Sequence, residues 1–403
     1  MKYIFLFLSI IFFSISAFSQ EQETSSGFSL GDINVSGYIQ LQYQYGEKDA
    51  LLEVGANNEN PEKAFNRIGV RRGRLKFAYE KKIFSSVFQM DITENGIDLR
   101  DVYIDVTEPW MGIATLRAGV FDRPFGYEIN YSSSRRESPE RSAIFQTLFP
   151  QGRDMGAMLQ FQAPETSPWH ILKLETGLFA GNGIKRETDS RKDFIGHLSA
   201  YKMLNNMQFG AGVSYYNGSV YQGTSDIYTM SGNGFVLNSD ARNKGQFAKR
   251  EYVGVDAQFS LKTLLGTTNL RAEYIFGQQP AIQHSVESPN SSTLPDDDTY
   301  IRNVNGWYVM FVQDIGRLPF QLVAKYDMLD PNTDISGNQV GEINTSITDL
   351  MQNTFGFGAL WHINTDFMLM AYYEINNYEK TINLPAIAES KRDVFTLRLQ
   401  YRF

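Results

Sequence analysis

The chain has 403 residues, no cysteine and a formal net charge of −8. The negative charge argues against a nucleic-acid partner, because surfaces that bind nucleic acid are basic. The absence of cysteine excludes disulfide bridges and a lipid-modified N-terminal cysteine. Hydrophobic residues make up 42%, too little for a helical membrane protein, and no stretch after the N-terminus approaches the ~20 apolar residues of a spanning helix.

The N-terminus has the features of an export signal. Lys2 precedes an apolar run at 3–13, and Ala17 and Ser19 are the small residues that precede a cleavage site. We therefore expect residues 1–19 to be a signal peptide that is cleaved. Residues 20–32 follow as a short polar lead-in. Export without an anchor leaves the periplasm, the outer membrane or the medium.

Alternating polarity begins at Ile33 and recurs to the last residue. In the first predicted strand Gln40 and Gln42 share one face, and apolar side chains occupy the other. The final stretch, 394–403, places Arg398 on one face and bulky aromatic and leucine side chains opposite. A period of two predicts a strand with two unlike faces. No amphipathic helix is available to cover the apolar face, so lipid is the remaining cover.

The same pattern predicts further strands along the chain. Two of them, near 193–203 and 301–313, have a weaker pattern, and the sequence does not decide which face of 301–313 is outward. The others lie near 68–80, 84–92, 99–106, 113–120, 155–161, 172–178, 207–215, 253–259, 270–276, 320–326, 355–361 and 367–373. Short and long connections alternate. The sequence therefore predicts an all-β fold over 33–403: a transmembrane antiparallel β-barrel of about sixteen strands, with short periplasmic turns and long extracellular loops.

One connection, 121–153, lacks alternation and is rich in arginine, proline, serine and glutamate. A structureless connection of this length in a compact domain is usually functional or disordered. We expect it to fold into the lumen.

Residues for catalysis are scarce. The four histidines, at 170, 197, 284 and 362, do not have metal-ligand spacing. No cysteine nucleophile and no G-x-S-x-G motif occurs. We expect no enzyme activity, no catalytic residue, no metal and no cofactor. A surface enzyme or adhesin carried on a barrel is the less favoured alternative.

Positive side chains on the predicted inner face are candidates for lining a pore. They are Arg72, Arg74, Lys76, Arg117, Arg123 and Arg398. Aspartates 91, 101 and 105 lie among them in the predicted order. Three interpretations stay open: a positive path that attracts anions, a pore with a transverse field between paired charges, and a solvated wall without further role.

Four stretches resemble the phosphate-selective porin O and P family: 67–91, 114–128, the run 141–158 ending in GRDMGAM, and the C-terminal TLRLQYRF. The resemblance implies a sixteen-stranded outer-membrane barrel, usually a homotrimer, in which inward-folded loops make a constriction and arginines line a path for anions. Arg72 and Arg74 match the inner-face arginines, and Arg123 stands where the inserted loop begins. The lysine-rich vestibule of well-known members has no counterpart in this sequence.

We expect an outer-membrane porin for passive uptake of small anions, phosphate among them. The alternative is a general, weakly selective diffusion porin with a mixed-charge constriction. Expected partners are outer-membrane lipid, small anionic solutes, further copies of the chain, and the outer-membrane assembly machinery, which would read the C-terminal Phe403.

Overall fold

The computed structural model describes residues 33–388 and 390–403. The signal peptide expected at 1–19 and the lead-in expected at 20–32 lie outside the described residues. The strands are β1 Ile33–Gly46, β2 Phe65–Lys81, β3 Phe84–Thr93, β4 Gly96–Thr107, β5 Ala114–Asp122, β6 Arg153–Gln162, β7 Leu172–Phe179, β8 Asp193–Leu204, β9 Met207–Tyr221, β10 Asp226–Ser231, β11 Gly234–Ser239, β12 Phe247–Thr263, β13 Gly266–Ala281, β14 Thr299–Asp314, β15 Phe320–Asp330, β16 Gln352–His362, β17 Phe367–Tyr378 and β18 Val394–Arg402.

Helices between residues 33 and 403 are few and short where the structure describes the chain. The α-helices are α1 Ala143–Leu148 and α2 Pro385–Ala388, and the 3-10 turns are Pro168–Ile171, Gly337–Gln339 and Ile347–Asp349. Within the described residues, none of the helices has the length and apolar character that crossing a membrane would require.

Sixteen strands, β1–β9 and β12–β18, form a closed antiparallel barrel. The last strand closes it by pairing with β1, from Tyr38 opposite Arg402 to Gly46 opposite Val394. Closure leaves no strand edge unpaired, which is essential where lipid cannot hydrogen-bond the backbone. The predicted barrel of about sixteen strands is confirmed.

Short and long connections alternate around the barrel as predicted. One rim has connections such as 82–83, 205–206 and 264–265, and the other has the long segments 47–64, 123–152 and 331–351. On the long-loop rim the connection 94–95 is a tight turn, as its brevity in the sequence indicated. The long connection between the strands predicted at 207–215 and 253–259 spans 222–246 and contains the β10–β11 hairpin, which the alternation pattern did not predict.

The two faces of the barrel wall differ as the alternation predicts. Leu41 and Leu399 are exposed on the outside, whereas Gln40 and Gln400 are buried inside. The Gln40 side chain donates to that of Gln400 across the closing seam at 2.7 Å. Polar side chains therefore join the first and last strands on the lumen side.

Strand β14 resolves the ambiguity at 301–313. Val309 and Phe311 are exposed on the outside, while Tyr308 and Met310 are buried inside. Both faces are apolar because the lumen face is also covered by protein: Phe145 of α1 lies edge-on to Tyr308 with ring centroids 6.2 Å apart.

Candidate functional site

The connection 123–152, from here on the inserted segment, crosses the lumen. On one side it meets β18, β1 and β2, the arginine wall. There Ser133 shares a 2.6 Å hydrogen bond with the Tyr38 hydroxyl, and its carbonyl accepts from Gln40 at 3.0 Å. On the other side it meets β12–β15, the anchoring wall. The prediction that this loop folds into the lumen is confirmed.

Apolar packing holds the inserted segment in place. Phe125, Phe145 and Phe149 are buried inside the barrel. Phe149 packs edge-on to Tyr216 and Tyr252, with ring centroids at 6.0 and 5.8 Å. Burying three phenylalanines favours the folded segment by roughly 1.5–3 kcal/mol each in transfer free energy. The lumen therefore holds a hydrophobic core that is absent from an empty barrel.

Where the inserted segment meets the arginine wall, one carboxylate lies among several arginines. Glu140 Oε1 accepts from Arg71 Nε at 2.9 Å and from Arg398 Nη2 at 3.2 Å. Glu140 Oε2 accepts from Arg72 Nη2 at 2.5 Å. Arg136 lies close enough for its charge to lower the pKa of Glu140. These five residues are the Glu140 cluster.

Glu140 is charged in this setting. Burial alone raises the pKa of its carboxyl, but Arg71, Arg72, Arg398 and Arg136 together bring the pKa well below its ordinary value. A carboxylate surrounded by guanidinium groups stays ionised because each neighbour favours the charged form.

A second carboxylate reaches the cluster from the connection 47–64. Glu53 Oε2 lies 2.7 Å from Arg71 Nη2. Arginine stays protonated in proteins. The four guanidinium groups of the cluster therefore outnumber the two carboxylates, Glu140 and Glu53, that lie among them.

Arg136 is the least neutralised cation of the cluster. Its side chain donates one long hydrogen bond, to the Tyr131 carbonyl at 3.4 Å, and its Nε has no partner. Among the described residues it forms no ion pair, although it is only 3% exposed. A buried charge without a counter-ion is costly. Arg136 thus keeps a buried N–H donor without an acceptor.

The other predicted site residues lie elsewhere along the lumen wall, most of them in pairs. Arg74 Nε is 3.4 Å from Asp91 Oδ2. Arg117 donates twice to Asp105, at 2.7 and 2.8 Å. The structure therefore brings together Arg72 and Arg398 on Glu140, whereas Arg74 and Arg117 bind other carboxylates.

Arg123 and Lys76 differ from those pairs. Arg123 is buried where the inserted segment begins and donates to Asp154 at 3.1 Å. Lys76 is half-buried and forms no ion pair with any described residue. Asp101, placed by the sequence among the possible partners of the cations, binds Arg153 at 2.8 Å.

Three members of the Glu140 cluster were not predicted. Arg136 and Glu140 lie in the inserted segment, where no periodicity assigns a direction to a side chain. Arg71 has the opposite parity to Arg72, yet both reach Glu140. Strict alternation therefore fails at this point of β2. The only sequence signal was the charge-rich composition of the segment.

At the anchoring wall, two acids of the inserted segment each bind a different base of the barrel. Lys325 Nζ lies 3.0 Å from Glu128 Oε1. Arg271 donates to both carboxylate oxygens of Glu137, at 2.8 and 3.0 Å. Glu273 accepts from the backbone N–H of Tyr127 at 2.8 Å and of Glu128 at 2.6 Å. This wall fixes the position of the inserted segment.

Residues 36–403 match the model of the family described as phosphate-selective porin O and P. The chain belongs to this family. No curated protein matches it significantly. The family and the barrel place this porin in the outer membrane, so the long connections are extracellular and the short ones periplasmic.

Solved structures share the fold of this porin. The anion-selective porin from Comamonas acidovorans has a TM-score of 0.56 and 10% identity, covering 92% of this chain and 99% of its own. OprB of Pseudomonas putida has a TM-score of 0.59 and 9% identity, and the match covers 92% of this chain and 94% of OprB. The outer membrane channel DcaP of Acinetobacter baumannii has a TM-score of 0.54 and 13% identity, and the match covers 94% of this chain and 99% of DcaP. At such identities the likeness concerns the fold alone.

Proposed function

We propose that this porin conducts small anions, phosphate among them, past the Glu140 cluster. The observation that carries the proposal is the excess of guanidinium groups where the inserted segment meets the arginine wall. Charged side chains at a constriction set the sign of the ions that pass. Membership of a phosphate-selective family and the fold shared with an anion-selective porin support the same conclusion.

The magnitudes are sufficient. At an effective dielectric constant of about 20, one unit charge 4 Å from an anion contributes up to ~4 kcal/mol before desolvation is subtracted. A remainder of ~1.4 kcal/mol would change occupancy tenfold. Arginine suits phosphate because its planar fork of donors matches two phosphate oxygens.

The test is the double change Arg72→Ala with Arg74→Ala, measured in planar bilayers. We expect the reversal potential in KCl to shift toward cations, and the block of chloride current by phosphate to disappear. Arg242→Ala is the matched control, because Arg242 is an exposed loop residue whose side chain is 90% accessible. Wild-type protein that prefers cations would refute the proposal.

A weakly selective diffusion porin is the second candidate. The pairs Arg74–Asp91 and Arg117–Asp105 favour it, because paired charges create a transverse field without a net sign. In that case the reversal potential would lie near zero and phosphate would not block. A sealed barrel with hydrolytic activity would instead favour the surface-enzyme alternative, whereas purified protein that conducts by itself favours the pore.

Export and assembly are part of the same proposal. A signal peptide at 1–19 would deliver the chain to the periplasm, where N-terminal sequencing of the mature protein should begin at Gln20. Phe403 exchanges two backbone hydrogen bonds with Gly37, both of 3.0 Å. We expect deletion of Phe403 to lower the yield of folded barrel on unheated gels while the transcript is unchanged. Equal yields would contradict this role.

We also propose a homotrimer. OmpT of Vibrio cholerae, which shares the fold with a TM-score of 0.52, is described in a trimer form. Crosslinking of the purified protein in detergent should give a three-chain species. Migration as a single chain under the same conditions would contradict it.

A further inference from the structure

We propose that Glu140 is a specificity-determining residue: a tethered carboxylate that competes with permeating oxyanions for the arginines of the Glu140 cluster. The inference rests on the proposed anion conduction and concerns the regulation of that same site.

Glu140 is bound as a free oxyanion would be. Three different arginines donate to its two oxygens, and its side chain is only 12% exposed. The backbone beside it is held as well, since the Pro139 carbonyl accepts from Arg398 Nη1 at 3.0 Å. Guanidinium forks bind carboxylate and phosphate with the same donor geometry. An entering phosphate would therefore meet donors that Glu140 already uses.

Glu140 differs from the other acidic contacts of the inserted segment. Glu128 and Glu137 each have one main cationic partner, Lys325 and Arg271 respectively. Removing either charge would leave one cation without its partner. Removing the charge of Glu140 would instead increase an existing positive excess, because Arg136 is already unpaired. The two kinds of contact therefore predict different results when they are neutralised.

A tethered ligand competes at a high effective concentration, of the order of millimolar for a short flexible connection. An oxyanion must be bound strongly enough to enter and weakly enough to leave. A carboxylate that occupies the same donors lowers the affinity for the permeating anion. Glu140 would thus keep phosphate from remaining in the constriction.

The experiment measures how inorganic phosphate blocks chloride current through single channels of the full-length porin. For Glu140→Gln we expect the half-blocking phosphate concentration to fall about tenfold, equivalent to ~1.4 kcal/mol. We also expect a stronger anion preference. Glu137→Gln is the control, because it neutralises another buried carboxylate of the inserted segment at the opposite wall. It should leave the half-blocking phosphate concentration unchanged, even where loosening at the anchoring wall raises the conductance.

An unchanged phosphate block in Glu140→Gln would overturn the inference. The same change of the block in Glu140→Gln and Glu137→Gln would also overturn it, because Glu140 would then act as a structural anchor only. If Glu140→Gln does not fold, Glu140→Asp serves instead. This change keeps the charge but draws the carboxylate back by one methylene. We expect a smaller fall in the half-blocking phosphate concentration, and the absence of any fall would refute the inference. A cation-selective wild type would refute the proposed function itself, whereas an anion-selective wild type with an unresponsive Glu140→Gln refutes only this inference.

Discussion

The inserted segment meets the two walls of the lumen in different ways. At the anchoring wall, Glu128 binds Lys325 and Glu137 binds Arg271, each acid with its own base. At the arginine wall, three arginines share Glu140, and one of them, Arg71, also pairs with Glu53. The segment is thus neutralised on one side and surrounded by surplus positive charge on the other.

This difference separates position from selectivity. Matched buried pairs hold a segment in one place because breaking either partner leaves an uncompensated charge. Unmatched charges contribute little to fixing a position, but they create the field that a permeating ion experiences. Changes at the anchoring wall should therefore alter how well the pore is constricted, and changes at the arginine wall should alter which ions pass.

The largest effect is expected for Lys325→Met at the anchoring wall. Glu128 would remain buried without its partner, which costs roughly 3–5 kcal/mol. We expect the inserted segment to loosen, so that the single-channel conductance rises and proteases cleave within 123–152. Lys249→Met is the control, because Lys249 is exposed and its partner Glu251 is 33% exposed, and a pair at the surface contributes only about 0–1 kcal/mol. Equal behaviour of the two variants would remove the anchoring role.

Gly126→Ala tests the same wall through the backbone. Gly126 has a φ of +63°, and an added Cβ would lie 2.2 Å from Glu273 Oε2. We expect the positive φ alone to cost about 1–3 kcal/mol, with the clash as an addition. Gly316→Ala separates the backbone strain from the clash, because Gly316 has a φ of +56° but open space around the added Cβ. Conductance should become noisier only in Gly126→Ala, while the reversal potential stays constant in both.

Acid should neutralise carboxylates of the inserted segment at both walls and release the segment at the anchoring wall. Burial raises the pKa of Glu128, but Lys325, Arg136 and a hydrogen bond from Ser142 bring it below its ordinary value of 4.5; the pKa of Glu140 is lowered further by its arginines. A lowered pKa stabilises the folded state above the unfolded value and loses that contribution as the pH falls through the folded value. Conductance should therefore be steady from neutral pH to about 4.5 and rise below it. A rise above that pH would contradict the assignment.

The smallest effect concerns Glu53 at the arginine wall. Its side chain is 36% exposed, yet it lies against the cluster, where burial and then repulsion from Glu140 raise its pKa above 4.5 despite the opposing arginines. As the pH falls, Glu53 should lose its charge before an ordinary glutamate does, which enlarges the positive excess. We expect a modest increase in anion preference in mildly acidic solution. Glu53→Gln should abolish that pH dependence, and a persisting dependence would assign it to another group.

The sequence predicted the barrel because a period of two is a local property of each strand. Outward Leu41 and inward Gln40 follow from their positions alone, since lipid and lumen impose opposite requirements on successive residues. At 301–313 the pattern did not indicate which face points outward, because the lumen face of β14 is covered by the inserted segment and is therefore apolar too. Local alternation is informative only where the two sides of the wall differ.

The sequence by itself thus determined the strand number, the alternation of connections and the presence of a loop suited to the lumen. It also identified Arg72 and Arg398 as cations of the inner face. Only the tertiary structure decided which charges meet. The partner of these arginines, Glu140, lies 68 residues from Arg72 and 258 from Arg398. It lies in a segment without periodicity, so its direction is set by packing against both walls and by no local rule.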